Sequence, residues 1–84
     1  METIVAADDA VEELKSALKL NVEQFQLGFS SPHEAYAVLL EEVEELWQEI
    51  KKKSALRDVE RMKAEALDIA VVALRIIMDI QRRQ

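Results

Sequence analysis

The sequence predicts an all-α protein: a three-helix protomer with antiparallel helices that completes a helical bundle by oligomerisation. Three observations lead there. Apolar residues recur at three- and four-residue steps, the helical period. The single Gly and the single Pro, residues 28 and 32, fall in one boundary and leave the segments on either side free of helix breakers. The last segment, "EALDIAVVALRIIMDI", is apolar nearly all the way round. A helix of that kind needs cover on most sides, so it calls for a partner chain. At 84 residues the chain is one domain, residues 1–84.

The first helix is predicted over about residues 8–26. Val11, Leu14, Leu18, Val22 and Phe25 form its apolar stripe. Asp8 and Asp9 stand where an N-cap and a first-turn acid belong, and Gly28 where a left-handed residue stops a helix. In "SSPHE", Ser31 is placed to cap the second helix, Pro32 suits its first position, and Glu34 completes a capping box. That helix is predicted to run to about residue 53, with Lys51, Lys52 and Lys53 in its last turn facing the dipole. "SALRD" is the connection, and the third helix is predicted over about residues 57–83.

Composition narrows the function. There is no Cys, so disulfides and thiolate metal sites are excluded. One His excludes a polyhistidine site, and one Gly a glycine-rich phosphate loop. The net charge of −6 argues against a nucleic-acid surface, which needs clustered Lys and Arg. The longest unbroken apolar run, "IAVVAL", is too short for a membrane span, and the N-terminal segment lacks the basic start and apolar run of a signal peptide. A cytoplasmic protein with no nucleic-acid or membrane partner is expected.

The informative feature is acidic. "EEVEELWQEI" holds five glutamates in nine positions without a cation. Like charges three or four residues apart on a helix repel by roughly 0.2–0.5 kcal/mol per pair. On a helical wheel Glu42, Glu45 and Glu49 form one stripe bordering the apolar face, while Glu44 points elsewhere. A solvated acidic flank explains this helix taken alone. The third helix differs. Glu65 lies on the stripe of Ile69, Val72, Ile76 and Ile80, and Asp68 shares a polar seam with Arg75 and Asp79. A carboxylate beside buried aliphatics is costly unless paired or metal-bound. Pairing of Glu65 with Arg61, and of Asp68 with Arg75, is the plainer explanation. A short connection makes the two helices antiparallel neighbours, which sets Glu42 and Glu45 level with Glu65 and Asp68 in one groove. Four carboxylates without His or Cys make a hard-oxygen site, suited to Mg²⁺ with Mn²⁺ as substitute.

Glu41-Glu42-x-x-Glu45 followed, after 19 intervening residues, by Glu65-x-x-Asp68 resembles the signature of MazG-like nucleotide pyrophosphohydrolases, of the all-α NTP pyrophosphatase superfamily. The segment "SPHEAYAVLLEEVEELWQEI" is also similar to the approach to that motif, and the resemblance covers about residues 30–80. It implies a hydrolase acting on phosphoric anhydrides, cleaving a nucleoside triphosphate to the monophosphate and pyrophosphate with Mg²⁺, in nucleotide-pool house-cleaning. It implies Glu42, Glu45, Glu65 and Asp68 as metal ligands, with Glu45 or Glu41 orienting or deprotonating the attacking water, and Glu41 and Glu49 available for a second metal or a base. It also implies a homo-oligomer, a dimer or a dimer of dimers.

Lys51 and Lys53 are candidates to reach phosphates and His33 to touch a base; as helix-end complements and a first-turn surface residue they have plainer roles. Trp47 and Tyr36 are expected in the core or an interface. Two other readings compete: a MazG-like helical oligomer serving as an interaction or regulatory module without efficient catalysis, and a plain helical oligomer with acidic surfaces. A di-iron carboxylate bundle is disfavoured because its Glu-x-x-His ligands are absent.

Overall fold

A computed structural model describes residues 2–25 and 28–83, and among these residues it is all-helical. Helix α1 is Glu2–Gln24, α2 is Pro32–Ile50 and α3 is Val59–Arg83, with a short 3-10 turn at Ser54–Leu56 before α3.

The boundaries correct several expectations. Helix α1 begins at Glu2, its first-turn acid, so Asp8 and Asp9 lie inside it and cap nothing. No Gly or Pro stands between Glu2 and Asp8 to stop a helix there. The expected end at Gln26 lies outside the described residues. Gly28 is not a left-handed stop, since no glycine has positive φ. What Gly28 permits is close approach: a Cβ there would lie 2.6 Å from Arg82 Nη2 and 3.2 Å from Asp79 Oδ1.

Ser31 caps α2 as expected, its Oγ accepting from the Glu34 N–H at 3.1 Å, with Pro32 in the first position. The reciprocal half of the capping box is shifted by one residue. Glu34 accepts from the N–H of Ser30 at 3.0 Å and from the Ser30 hydroxyl, because Ser30 offers its carboxylate two donors. These bonds hold the Glu34 carboxyl below its usual range. Helix α2 ends at Ile50, so the three lysines follow its last turn instead of filling it. Lys51 supplies the cap N–H, donated to Trp47 O at 2.9 Å, and Arg57 Nε donates to Ile50 O at 2.8 Å. Arg57 therefore closes α2 and does not open α3. Asp58 is the N-terminal acceptor of α3, receiving the N–H groups of Glu60 at 3.0 Å and Arg61 at 3.2 Å.

Helix α3 packs against both of the others. Phe29, Ala35 and Val72 are buried together, with Val38, Leu39 and Ile76 against them. At the far end of α3, Asp79 binds Arg82 at 2.8 Å and Arg83 at 3.3 Å, and Arg83 Nη2 donates to Phe29 O at 2.8 Å. No described helix is long and apolar enough to cross a membrane.

The protomer is open. Its radius of gyration is 14.4 Å, against about 12 Å for a compact chain of this length. It exposes 6536 Å²; a folded monomer of 9.6 kDa exposes about 5,100 Å². Roughly 1,400 Å² is in excess. Much of it is apolar. Tyr36, Leu40, Val43 and Trp47 are all exposed and, at steps of four, three and four, form one stripe along α2. Tyr36 and Trp47, 64% and 56% exposed, are therefore not part of the protomer core.

The Asp58 cap gives a direct stability test. Asp58→Ala removes the acceptor of two N–H groups and should cost about 1 kcal/mol, a fall of roughly 4–8 °C in Tm for a domain of this size. Asp58→Asn keeps a cap acceptor and should retain most of the stability.

Candidate metal centre

Glu42 and Glu45 are three residues apart on α2 and therefore share a face; Glu65 comes from α3. The packing of Val38 and Leu39 against the Val72 cluster holds the two helices together beside them. One carboxylate oxygen from each of Glu42, Glu45 and Glu65 lies within 4.8 Å of the other two. Glu42 and Glu65 are half-buried and Glu45 is on the rim. Among the described residues, Glu42 Oε2 and Glu65 Oε2 are buried and receive no hydrogen bond.

Burial pushes the Glu42 carboxyl up to about 7, helped by the charges of Glu45 and Asp68, a carboxyl–carboxyl hydrogen bond with Glu45, and the charge of Glu65. Burial also raises Glu65, as do hydrogen bonding toward Glu45 and the charges of Glu45 and Asp68, against the opposing pull of Arg61. Asp68 is raised by desolvation of its carboxyl and then by Glu45, although the residue as a whole is exposed. Three of the four expected ligands thus form the triad, and Asp68 stands beside it as part of the same field.

The expected pairing of Glu65 with Arg61 is present, at 3.6 Å. Arg61 also contacts Glu49 at 3.5 Å, and Lys52 holds Glu49 at 2.8 Å. Glu49, only 4% exposed, is a salt-bridged carboxylate. Arg61 brings one positive charge and reaches Glu65 Oε1, leaving Oε2 without a donor. It cannot balance the whole triad.

The donor set is all carboxylate oxygen. A Mg²⁺ shell at about 2.1 Å is roughly 4.2 Å across, comparable with the spread of the triad. The two buried, partnerless oxygens and this chemistry fit a hard divalent cation.

The remaining expected residues lie apart. Glu41 is exposed but shares with Glu42 the wall of a cleft of about 490 Å³. Lys51 and Lys53 are exposed beyond the end of α2, Lys51 on the order of 9 Å along the helix axis from Glu45. His33 is exposed in the first turn of α2. Glu44 is exposed and outside the triad. Asp79 has left the anticipated seam for Arg82 and Arg83, and Arg75 is buried with its guanidinium 4.5 Å over the Phe29 ring. The sequence reading passed over Asn21, whose Oδ1 is buried without a partner among the described residues. Its signal was available: Asn21 is a polar residue on the stripe of Leu14, Leu18 and Phe25.

Comparison with protein-family models, with curated proteins and with solved structures finds no match for this chain.

The raised carboxyls make a signed prediction for the metal-free protein. Between the ordinary Glu value of 4.5 and about 7, the unfolded chain gives up a proton that folded Glu42 keeps. Stability then falls as pH rises through this window and levels off above it; Glu65 and Asp68 act with the same sign. In EDTA, Tm should be higher at pH 5 than at pH 7.5, and Glu42→Gln should flatten the difference. A wild-type Tm that climbs over that range would contradict the arrangement.

Proposed function

We propose that this chain is a Mg²⁺-dependent nucleoside triphosphate pyrophosphohydrolase working as a homo-oligomer, of the MazG-like kind that its acidic motif resembles. The observation that carries the reading is the triad from two helices, with two buried carboxylate oxygens that have no hydrogen-bond partner among the described residues. Glu42, Glu45 and Glu65 hold the cation, with Asp68 completing the set. When bound, Mg²⁺, or Mn²⁺ in its place, supplies Lewis acidity toward phosphate oxygens and lowers the pKa of bound water. The chain's own residues do the rest. Glu45 on the rim, or Glu41 on the neighbouring cleft wall, accepts the proton of the attacking water. Oxygen bonds to the α-phosphorus, the bond to the β-phosphate oxygen breaks, and pyrophosphate leaves. Lys51 and Lys53 lie at the end of the same helix as long cations able to swing toward phosphates; His33 is the less favoured base contact.

The two helices run antiparallel in this reading. Support comes from Glu49 facing Arg61 near one end and Phe29 bonding Arg83 near the other. Oligomerisation is supported by the excess surface, about 1,400 Å² per protomer. That exceeds the roughly 800 Å² per partner of a standard interface. The Tyr36–Leu40–Val43–Trp47 stripe lies on the side of α2 away from Glu45, so a bundle completed there leaves the triad open. A cytoplasmic location belongs to the same reading.

Two experiments test it. Incubation with common and modified NTPs and Mg²⁺ should give NMP and pyrophosphate. Glu42→Gln, Glu45→Gln, Glu65→Gln and Asp68→Asn should each lower turnover by on the order of 10²-fold or more, whereas Glu44→Gln should not. Release of NDP and inorganic phosphate would refute the site of attack, and no cleavage of any NTP would favour the interaction-module reading. In sedimentation velocity the chain should run as a dimer or larger, and Trp47→Glu should weaken the association; a compact wild-type monomer at micromolar concentration would refute the assembly.

A further inference from the structure

We propose that the cleft lined by the end of α1 together with α2 and α3 receives the nucleoside of the nucleotide, and that Asn21 is its specificity-determining residue. The proposal rests on the nucleotide reading above and adds where the base goes and what reads it. The cleft holds about 490 Å³, inside the range of small-molecule sites. Glu41 and Glu42 form one wall, so it opens beside the triad. A ligand with phosphates at the triad has its next group here.

The lining suits a flat, polar-edged ring. Val72 gives an apolar floor and Phe25, 54% exposed, presents an aromatic face. A base stacks favourably on such a face whatever its identity. Phe29 and Arg75, whose guanidinium lies 4.5 Å over the Phe29 ring, form another part of the lining. Asn21 supplies the edge contact. Its Oδ1 is buried and accepts no hydrogen bond among the described residues. A buried acceptor left unpaired is costly, and an N–H on a ring edge, met by a turn of the Asn21 side chain into the cleft, relieves it. Acceptor, aromatic face and apolar floor are the parts by which a protein holds a nucleobase. A bare polyphosphate uses none of them.

The test compares Mg²⁺ complexes of non-hydrolysable α,β-methylene NTPs bearing each base with Mg²⁺–tripolyphosphate, by calorimetric titration. Wild type should bind at least one nucleotide about tenfold or more tightly than tripolyphosphate and should rank the bases. Asn21→Leu should cut the tightest affinity about tenfold and compress the ranking. Phe25→Ala should weaken all bases alike. Tripolyphosphate binding, and the Tm gain on adding Mg²⁺, should be unchanged in both variants, which also shows that they fold. Nucleotides that bind no better than tripolyphosphate, or a ranking that survives Asn21→Leu, would overturn the pocket while leaving the metal site standing. Failure of both ligands to bind wild type would overturn the pocket together with the nucleotide reading.

Discussion

Like charge in a half-buried place is the constraint around which this protein is arranged. Glu42, Glu45 and Glu65 bring carboxylate oxygens within 4.8 Å of one another. At an effective dielectric constant of about 20, two unit charges 4 Å apart repel by roughly 4 kcal/mol. Three such pairs, even screened at the rim, rival the net stability of a chain of this size, which is roughly 0.05–0.15 kcal/mol per residue. The fully ionised triad therefore needs protons or a cation. Glu42, raised to about 7, takes the first course when no cation is present. A divalent ion would offer the second, and would compete with protons for the same oxygens.

The second constraint is shape. Helix α2 serves two masters on different sides. One side packs Ala35, Val38 and Leu39 toward α3 and carries the carboxylates at its edge. Another leaves Tyr36, Leu40, Val43 and Trp47 in solvent. A chain this short buries too little surface to be comfortable alone. An oligomer that covers the exposed stripe would stabilise α2, and with it the repelling carboxylates α2 must hold in place. Assembly and site are then linked through one helix.

Much of this was legible in the sequence, for physical reasons that also mark the limits. The Ser31–Pro32 start of α2 is local chemistry, and it is where expected. The period-3.6 pattern placed Glu42 and Glu45 on one face and Glu65 on an apolar stripe, and those three form the triad. Local rules misplaced the start of α1 because nothing upstream of Asp8 breaks a helix, so the nearest good cap looked like the first. Gly28 read as a conformational residue, yet its role is set by Asp79 and Arg82, more than fifty residues away. Glu49 shares the wheel position of a ligand. Only tertiary packing shows that Lys52 and Arg61 hold it. Asn21 is one polar residue on a helical stripe, and the burial of its Oδ1 depends on how α1 packs in the folded chain.

The most direct test of the central claim is paramagnetic. Mn²⁺ titrated at sub-stoichiometric amounts into isotope-labelled protein broadens NMR signals near the bound ion. Broadening should centre on residues 42–45 and 65–68, be removed by excess Mg²⁺ and be lost in Glu65→Gln. Broadening spread evenly over the acidic surfaces, including Glu12, Glu13 and Glu44, would mean that the carboxylates are a solvated acidic face with no specific cation site.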